Sequence, residues 1–239
     1  MTPEASDELR RASELDMLRR SFAHTIVDNV ESPLLDDDAA HHVFRVLRVA
    51  DGSPITVTDG AGSWRLCRAA GGNVRPDGEV SFQARRDPII TVGFAVPKLD
   101  RPEWIVQKLT EIGVDRIVLL HAARSVVRWD AERAPKQIAK LERTAIEAVQ
   151  QSRQVWLPAV VGPVAAATFL PSAVVAEPGG RPMSASDHTF AIGPEGGWTD
   201  AELECAADRV STGSSVLRVE TAALAIGVLA VAIRRTMNR

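Results

Sequence analysis

Between an apolar run at 189–192 and a helical pattern beginning at 200, the chain reads Gly193-Pro194-Glu195-Gly196-Gly197. Neither a strand nor a helix passes through such a segment. The proline removes a backbone donor, and the three glycines remove the Cβ, so the chain turns there and can approach another group closely. Thr189, Phe190, Ala191 and Ile192 before it read as a short buried strand. Thr199, with Glu202 three residues later, spells a capping box, so a helix begins at once. Residues 215–219 read as another short strand, running into Glu220-Thr221 and a long apolar helix over 222–236.

The pattern upstream falls into three parts. Residues 1–16 are polar and charged, with little to bury, and are expected to be disordered or loosely helical. From 17 to 86 short strands are expected at 21–27, 54–58, 63–69 and 79–86, joined by turns such as Asp51-Gly52 and Asp59-Gly60-Ala61-Gly62. Such a succession suggests a small β-barrel. Among these strands Asp36-Asp37-Asp38 opens a helix over 39–49, with acids well placed at its N-terminus. Val43, Val46, Leu47 and Ala50 are expected on its buried face, leaving His42, Arg45 and Arg48 outward. At Asp87-Pro88 the period changes. A continuous apolar strand at 89–96 leads to a helix over 102–112 closed by Gly113, a strand at 115–120 and an amphipathic helix over 135–153. Strands at 173–176 and 189–192 follow, separated by a Gly/Pro/Ser loop at 178–186. Strands alternating with helices argue a parallel α/β sheet over 87–239.

Composition excludes several classes. Cys67 and Cys205 are far apart and form no CxxC pair, so neither a metal site nor a structural disulfide is expected. No apolar run reaches the ~18 residues of a membrane helix, and the acidic N-terminus lacks an apolar signal region, so the expected compartment is the cytoplasm. The net charge of −3 does not advertise a nucleic-acid binder. Two of the 28 basic and five of the 31 acidic residues fall within 1–16, which leaves the rest balanced. Any RNA site is therefore a local patch. No GxGxxG follows a strand, so a Rossmann-type nucleotide site has no signature here.

Gly-Pro-Glu-Gly-Gly followed by its capping box, and then Leu217-Arg218-Val219-Glu220-Thr221-Ala222, resemble the end of the SPOUT RNA methyltransferases. The closest resemblance is to the RsmE family, which methylates N3 of a uridine in small-subunit ribosomal RNA. His41-His42 through Arg48, Lys98 with Gln107–Gly113, Arg124-Ser125, and Glu147–Arg153 followed by Pro158 fit the same family, so the likeness covers most of 17–239. It implies a PUA-like RNA-binding β-barrel domain followed by a C-terminal SPOUT trefoil-knot α/β domain. It also implies S-adenosyl-L-methionine as cofactor, 16S ribosomal RNA of the small subunit as partner, and a homodimer.

Carried over by position, the resemblance places the cofactor against Ile192, Gly193, Pro194, Glu195, Gly196, Gly197, Val216, Leu217, Arg218, Thr221 and Ala222. RNA contacts would come from Arg19, Arg20, His42, Arg45, Arg48, Lys98, Arg124 and Arg153. Arg218 would stabilise the negative charge that develops on uracil, and Glu220 would position the base or help remove its proton. The plain alternatives are that Arg218 and Glu220 form a structural ion pair, that Glu220 only caps the last helix, and that Glu195 braces its own loop. His41 and His42 fit an ordinary helix surface equally well. Four departures stand out: Trp198 replaces the usual Phe after the glycines, Ser211-Thr212-Gly213 stands for a leucine-glycine, Ser215 replaces an arginine, and Val219 replaces a threonine. Two other functions remain open on the residues: ribose 2′-O-methylation of ribosomal or transfer RNA, and a non-catalytic RNA-binding assembly factor.

Overall fold

A computed structural model describes residues 13, 14 and 16–237. The expected N-terminal extension therefore lies almost wholly outside the described residues. The chain divides into two compact units, one comprising residues 1–85 with 149–157 and the other residues 86–148 with 158–239.

The first unit is a four-stranded sheet in the order β1 (Ala23–Ile26), β2 (Pro54–Thr58), β3 (Ser63–Ala70), β4 (Asn73–Phe82). β1 runs parallel to β2, and the other neighbours are antiparallel. β1 and β4 are its edges, so among the described residues the strands form an open ladder. Its core gathers Val27, Leu35, Val43, Ile55, Val57 and Cys67. The helix opens with Asp36 capping the Ala39 amide, as its acids foretell, but α1 (Asp37–Ala40) passes into a π-helical turn over His41–Val46. Leu47 N–H donates to His42 C=O, and this wider turn breaks the 3.6-residue phase. Val43 and Val49 are buried, whereas Val46 and Leu47 are 57% and 48% exposed, contrary to the expected face.

Residues 149–157, which the sequence pattern places with the second domain, group with the first unit and thread its β2–β3 turn. Gly62 N–H donates to Val155 C=O, and Leu157 N–H to Gly60 C=O. Gly62 has a φ of +103°, and a Cβ there would lie 2.6 Å from the Trp156 ring. Buried His24 ties the same segment down. Its Nε2 lies 2.8 Å from the carbonyl of Gln154, which can only accept, so Nδ1 takes the Thr56 hydroxyl at 2.8 Å.

The second unit is a six-stranded, all-parallel sheet in the order β10-β8-β9-β5-β6-β7. The strands are β5 (Thr91–Ala95), β6 (Arg116–His121), β7 (Ala159–Ala165), β8 (Val174–Arg181), β9 (Thr189–Ile192) and β10 (Asp208–Val210). Its helices are α2 (Arg101–Ile112), α3 (Arg133–Ser152), the short α4 (Ala166–Phe169), α5 (Asp200–Cys205) and α6 (Val219–Met237). Gly113 ends α2 in the left-handed conformation at φ 95°, as expected of a C-terminal glycine. Two strands escaped the sequence reading. β7 carries Gly162-Pro163, which reads as a breaker, and β10 is only three residues long. β8 also runs on into the expected loop, to Arg181.

The expected strand at 215–219 does not form. The place beside β8 is taken by β10, and 215–218 pairs with no strand. Val216 is 86% exposed, and α6 begins at Val219 instead of 222. α6 packs against α2, β5 and β9. Near its end Arg234, 1% exposed, pairs with Asp115 and donates to the carbonyls of Pro88 (3.1 Å) and Gly113 (2.8 Å). A buried pair of this kind costs several kcal/mol to break by truncating one partner.

Burial pushes His24 down from 6.5 to about 4, with the Arg153 charge acting the same way against the Gln154 hydrogen bond. The folded state thus holds a neutral imidazole that the unfolded chain protonates below about 6.5. Its stabilisation is complete above that pH and is lost as pH falls from 6.5 towards 4. The expected loss attributable to His24 is about 3 kcal/mol. Chemical denaturation at several pH values should show it in the wild type. His24→Asn should be less stable at pH 7.5 yet lack that part of the slope; an equal slope in both would refute the assignment.

Candidate active site

All six strands of the second unit point the same way, so their carboxyl ends share one edge. Strand order reverses beside β5, where β6 and β7 lie to one side and β9 and β8 to the other. Ligands of open α/β sheets lodge outside the carboxyl ends near such a reversal. Here the tips of β8 and β9, the glycine turn, residues 210–213 and residues 215–219 enclose a cleft of about 390 Å³.

The glycine turn is held from two directions. Thr199 and Glu202 form the reciprocal capping box expected of them. Glu202 Oε1 also accepts the Ala123 amide at 2.7 Å, from the loop after β6. From the same loop Arg124 Nη1 donates to the carbonyls of Gly196 (3.1 Å) and Trp198 (3.0 Å). Burial alone would raise the Glu202 carboxyl, but these amide and hydroxyl donors and the Arg124 charge bring it below its ordinary value. Of the three glycines only Gly197 takes a positive φ, at 69°. Gly193 is needed for space, since a Cβ there would sit 2.8 Å from the indole nitrogen of Trp198. Trp198 is 5% exposed, packs in a core with Ala95, Leu120, Val175 and Ala191, and also lines the cleft. Its indole N–H is buried without an acceptor among the described residues.

Of the residues expected to hold the cofactor, Ile192, Gly193, Pro194, Glu195, Gly197, Val216, Leu217, Arg218 and Ala222 line the cleft. Gly196, which packs on Arg124, and Thr221 stand outside the lining. Arg218 is exposed and makes no ion pair among the described residues, so the structural pair with Glu220 is absent. Glu220 lies in the first turn of α6, and Arg101 approaches its Oε1 at 3.8 Å; its Oε2 is buried without a partner. Arg101 also stands 3.5 Å from Glu195 Oε1. Arg101 and Glu177, which lines the cleft from β8, escaped the sequence reading, as neither falls in a recognisable motif.

The expected RNA-contacting residues divide between the units. Lys98 is exposed after β5, and Arg124 is committed to the glycine turn. In the first unit Arg19, His42, Arg45 and Arg48 are exposed, and Arg20 is exposed and paired with Asp16. Arg153 turns inward, with Nη2 3.0 Å from the Ser21 carbonyl, and its burial lowers its pKa. Among the described residues no cluster of three or more His, Cys, Asp or Glu is placed to hold a metal, and no helix is long and apolar enough to cross a membrane.

Residues 85–231 match the model of the RNA methyltransferase domain, and 35–69 that of the RNA methyltransferase PUA domain. The ribosomal RNA small subunit methyltransferase E of Synechocystis sp. is 30% identical over 76% of this chain and 67% of its own. The chain belongs to the RsmE family. The Mycobacterium bovis member is 28% identical over 87% of this chain and 90% of its own length. The fold matches that of the Neisseria gonorrhoeae member, whose crystal structure holds S-adenosyl methionine, with a TM-score of 0.74 at 23% identity over 90% and 97% of the two chains.

Replacing Glu202 by Ala removes the cap, leaves the Ala123 amide without its carboxylate and takes a counter-charge from Arg124. The expected cost is about 2–3 kcal/mol in urea denaturation. A loss under about 0.5 kcal/mol would show that the two loops hold their shape without this carboxylate.

Proposed function

We propose that this protein transfers a methyl group from S-adenosyl-L-methionine to N3 of a uridine in 16S ribosomal RNA of the small ribosomal subunit. The observation that carries the reading is the cleft itself, in which both family motifs meet at the carboxyl edge of a parallel sheet. Its size falls within the range of small-ligand sites. Its walls are mainly apolar side chains and glycine backbone, which suit an adenine recognised through main-chain groups. The unpartnered indole N–H of Trp198 beside Gly193 fits a site whose polar atoms are completed by a ligand.

S-adenosylmethionine, when bound, supplies an electrophilic methyl group on sulfonium. The chain's residues supply the rest. The uridine N3 proton is weakly acidic and must leave for the nitrogen to attack. Arg218, unpaired at the mouth of the cleft, stabilises the negative charge on the uracil oxygens. Glu220, with one carboxylate oxygen buried and unpartnered, accepts a hydrogen bond from the base or takes its proton. The first unit acts as the PUA-like RNA-binding part, with His42 and Arg45 on the exposed π-helical turn, Arg48 just beyond it, and Arg19 and Arg20, while Lys98 serves from the second unit. We assign 17–86, with which 149–157 groups, to the RNA-binding domain and the rest of 87–239 to the methyltransferase domain, and read the latter as a trefoil knot. The path from β9 out to edge strand β10, and then back to α6 over β5 and β9, supports that topology. A homodimer is supported by the apolar surface that Val228 and Leu229 leave open on α6. Cytoplasmic location follows from the substrate.

The test is nucleoside mass spectrometry on small subunits from cells lacking the protein, before and after incubation with pure protein and S-adenosylmethionine. N3-methyluridine should appear only after incubation. A ribose-methylated nucleoside would overturn the target, and no transfer to subunit or naked RNA would favour a binding factor. Arg218→Ala should lower turnover by about 100-fold or more, with calorimetric cofactor affinity within about five-fold. Turnover within a few-fold of wild type would remove Arg218 from the mechanism.

A further inference from the structure

Arg101 opens α2, immediately after the loop that follows β5, and its guanidinium faces two carboxylates from separate segments. Nη1 stands 3.5 Å from Glu195 Oε1, in the glycine turn. Nε stands 3.8 Å from Glu220 Oε1, in the first turn of α6. Neither acid pairs with another cation among the described residues. The two segments are the two motif-bearing walls of the cleft, and Arg101 is the cation that faces both.

We propose that Arg101 is a positioning residue for methyl transfer. It acts through Glu220, setting that carboxylate's orientation and linking it to the cofactor-side turn through Glu195. The inference rests on the functional reading above and adds to it a residue outside every family motif recognised in the sequence. Three features support it. Glu220 is largely withdrawn from water, at 19% side-chain exposure, and its Oε2 has no partner, so Arg101 is the group available to fix the rotamer. A planar guanidinium can face two carboxylates with separate N–H groups, which an ammonium on a flexible stem does not reproduce. Both separations are at or beyond the long limit of a hydrogen bond, as expected of catalytic contacts that tighten once the site fills. Without Arg101, two carboxylates would share the space with no intervening cation, and Glu220 would turn from its place.

A positioning role predicts a split between turnover and affinity. Arg101→Ala should lower kcat by roughly 10- to 100-fold while the calorimetric Kd for S-adenosylmethionine changes less than about three-fold. Arg101→Lys should recover part of that loss. In a Glu220→Gln background, followed by single turnover, Arg101→Ala should cost no more than about two-fold further, because the group it positions is already gone. Thermal melting of each variant separates loss of fold from loss of geometry. If Arg101→Ala turns over within two-fold of wild type, or its cost multiplies undiminished in the Glu220→Gln background, the role is overturned while the methyltransferase reading stands. If the wild type itself transfers no methyl group to subunits or RNA, the functional reading falls and this role falls with it.

Discussion

The short hydrogen bond from the Ala123 amide to Glu202 is the contact on which the candidate site depends. Glu202 already completes a capping box with Thr199, so one carboxylate serves three donors and fixes the start of α5 against the loop after β6. Arg124, the next residue along that loop, reaches back to the carbonyls of Gly196 and Trp198. A glycine-rich turn has little intrinsic shape, since glycine gives up more conformational entropy on ordering than any other residue. Its shape is held from outside by Arg124, which donates to the Gly196 carbonyl, and by Glu202, which fixes the start of the helix that follows it. Trp198, pressed beneath Gly193, then supplies the floor of the cleft.

The same logic explains why charge composition says little about this protein. Several of its arginines are structural. Arg234 is buried against Asp115, Arg153 closes on the Ser21 carbonyl, and Arg124 braces the glycine turn. Arg181 is shared by Asp187 and Asp208, holding the Asp187 carboxyl down at about 2. Guanidinium suits this work because its fixed fork satisfies several carbonyls or carboxylates at once. Arg45, Arg48 and Arg218 are among the cations left outward, and their positions matter more than their number.

Local chemistry made much of this legible from sequence. The capping box, the Asp36 cap, the glycine end of α2 and strand β9 follow from residue types within a few positions, and each forms where the pattern places it. The failures came where a distant contact overrides the local pattern. Val46 and Leu47 fit the buried face of an α-helix until a π turn shifts the phase. Residues 215–218 have strand composition but pair with no strand, and the weakly patterned β10 takes the place beside β8. Residues 149–157 continue an amphipathic helix yet group with the first unit, held by the His24–Gln154 and Gly62–Val155 contacts. No window of sequence contains both partners of those bonds.

For the candidate site the division is sharper. The residues that make its walls belong to two compact motifs and could be found by their glycines and small side chains. The residue that connects those walls could not, because Arg101 sits about a hundred positions from either motif, in the first turn of a helix where an arginine is unremarkable by composition. Its place is set by the parallel sheet, which gathers the carboxyl ends of β5, β8 and β9 along one edge and so delivers the start of α2 to the glycine turn and the start of α6. In such an architecture a motif supplies the groups that touch a ligand, and the sheet order decides which distant charge holds them in register.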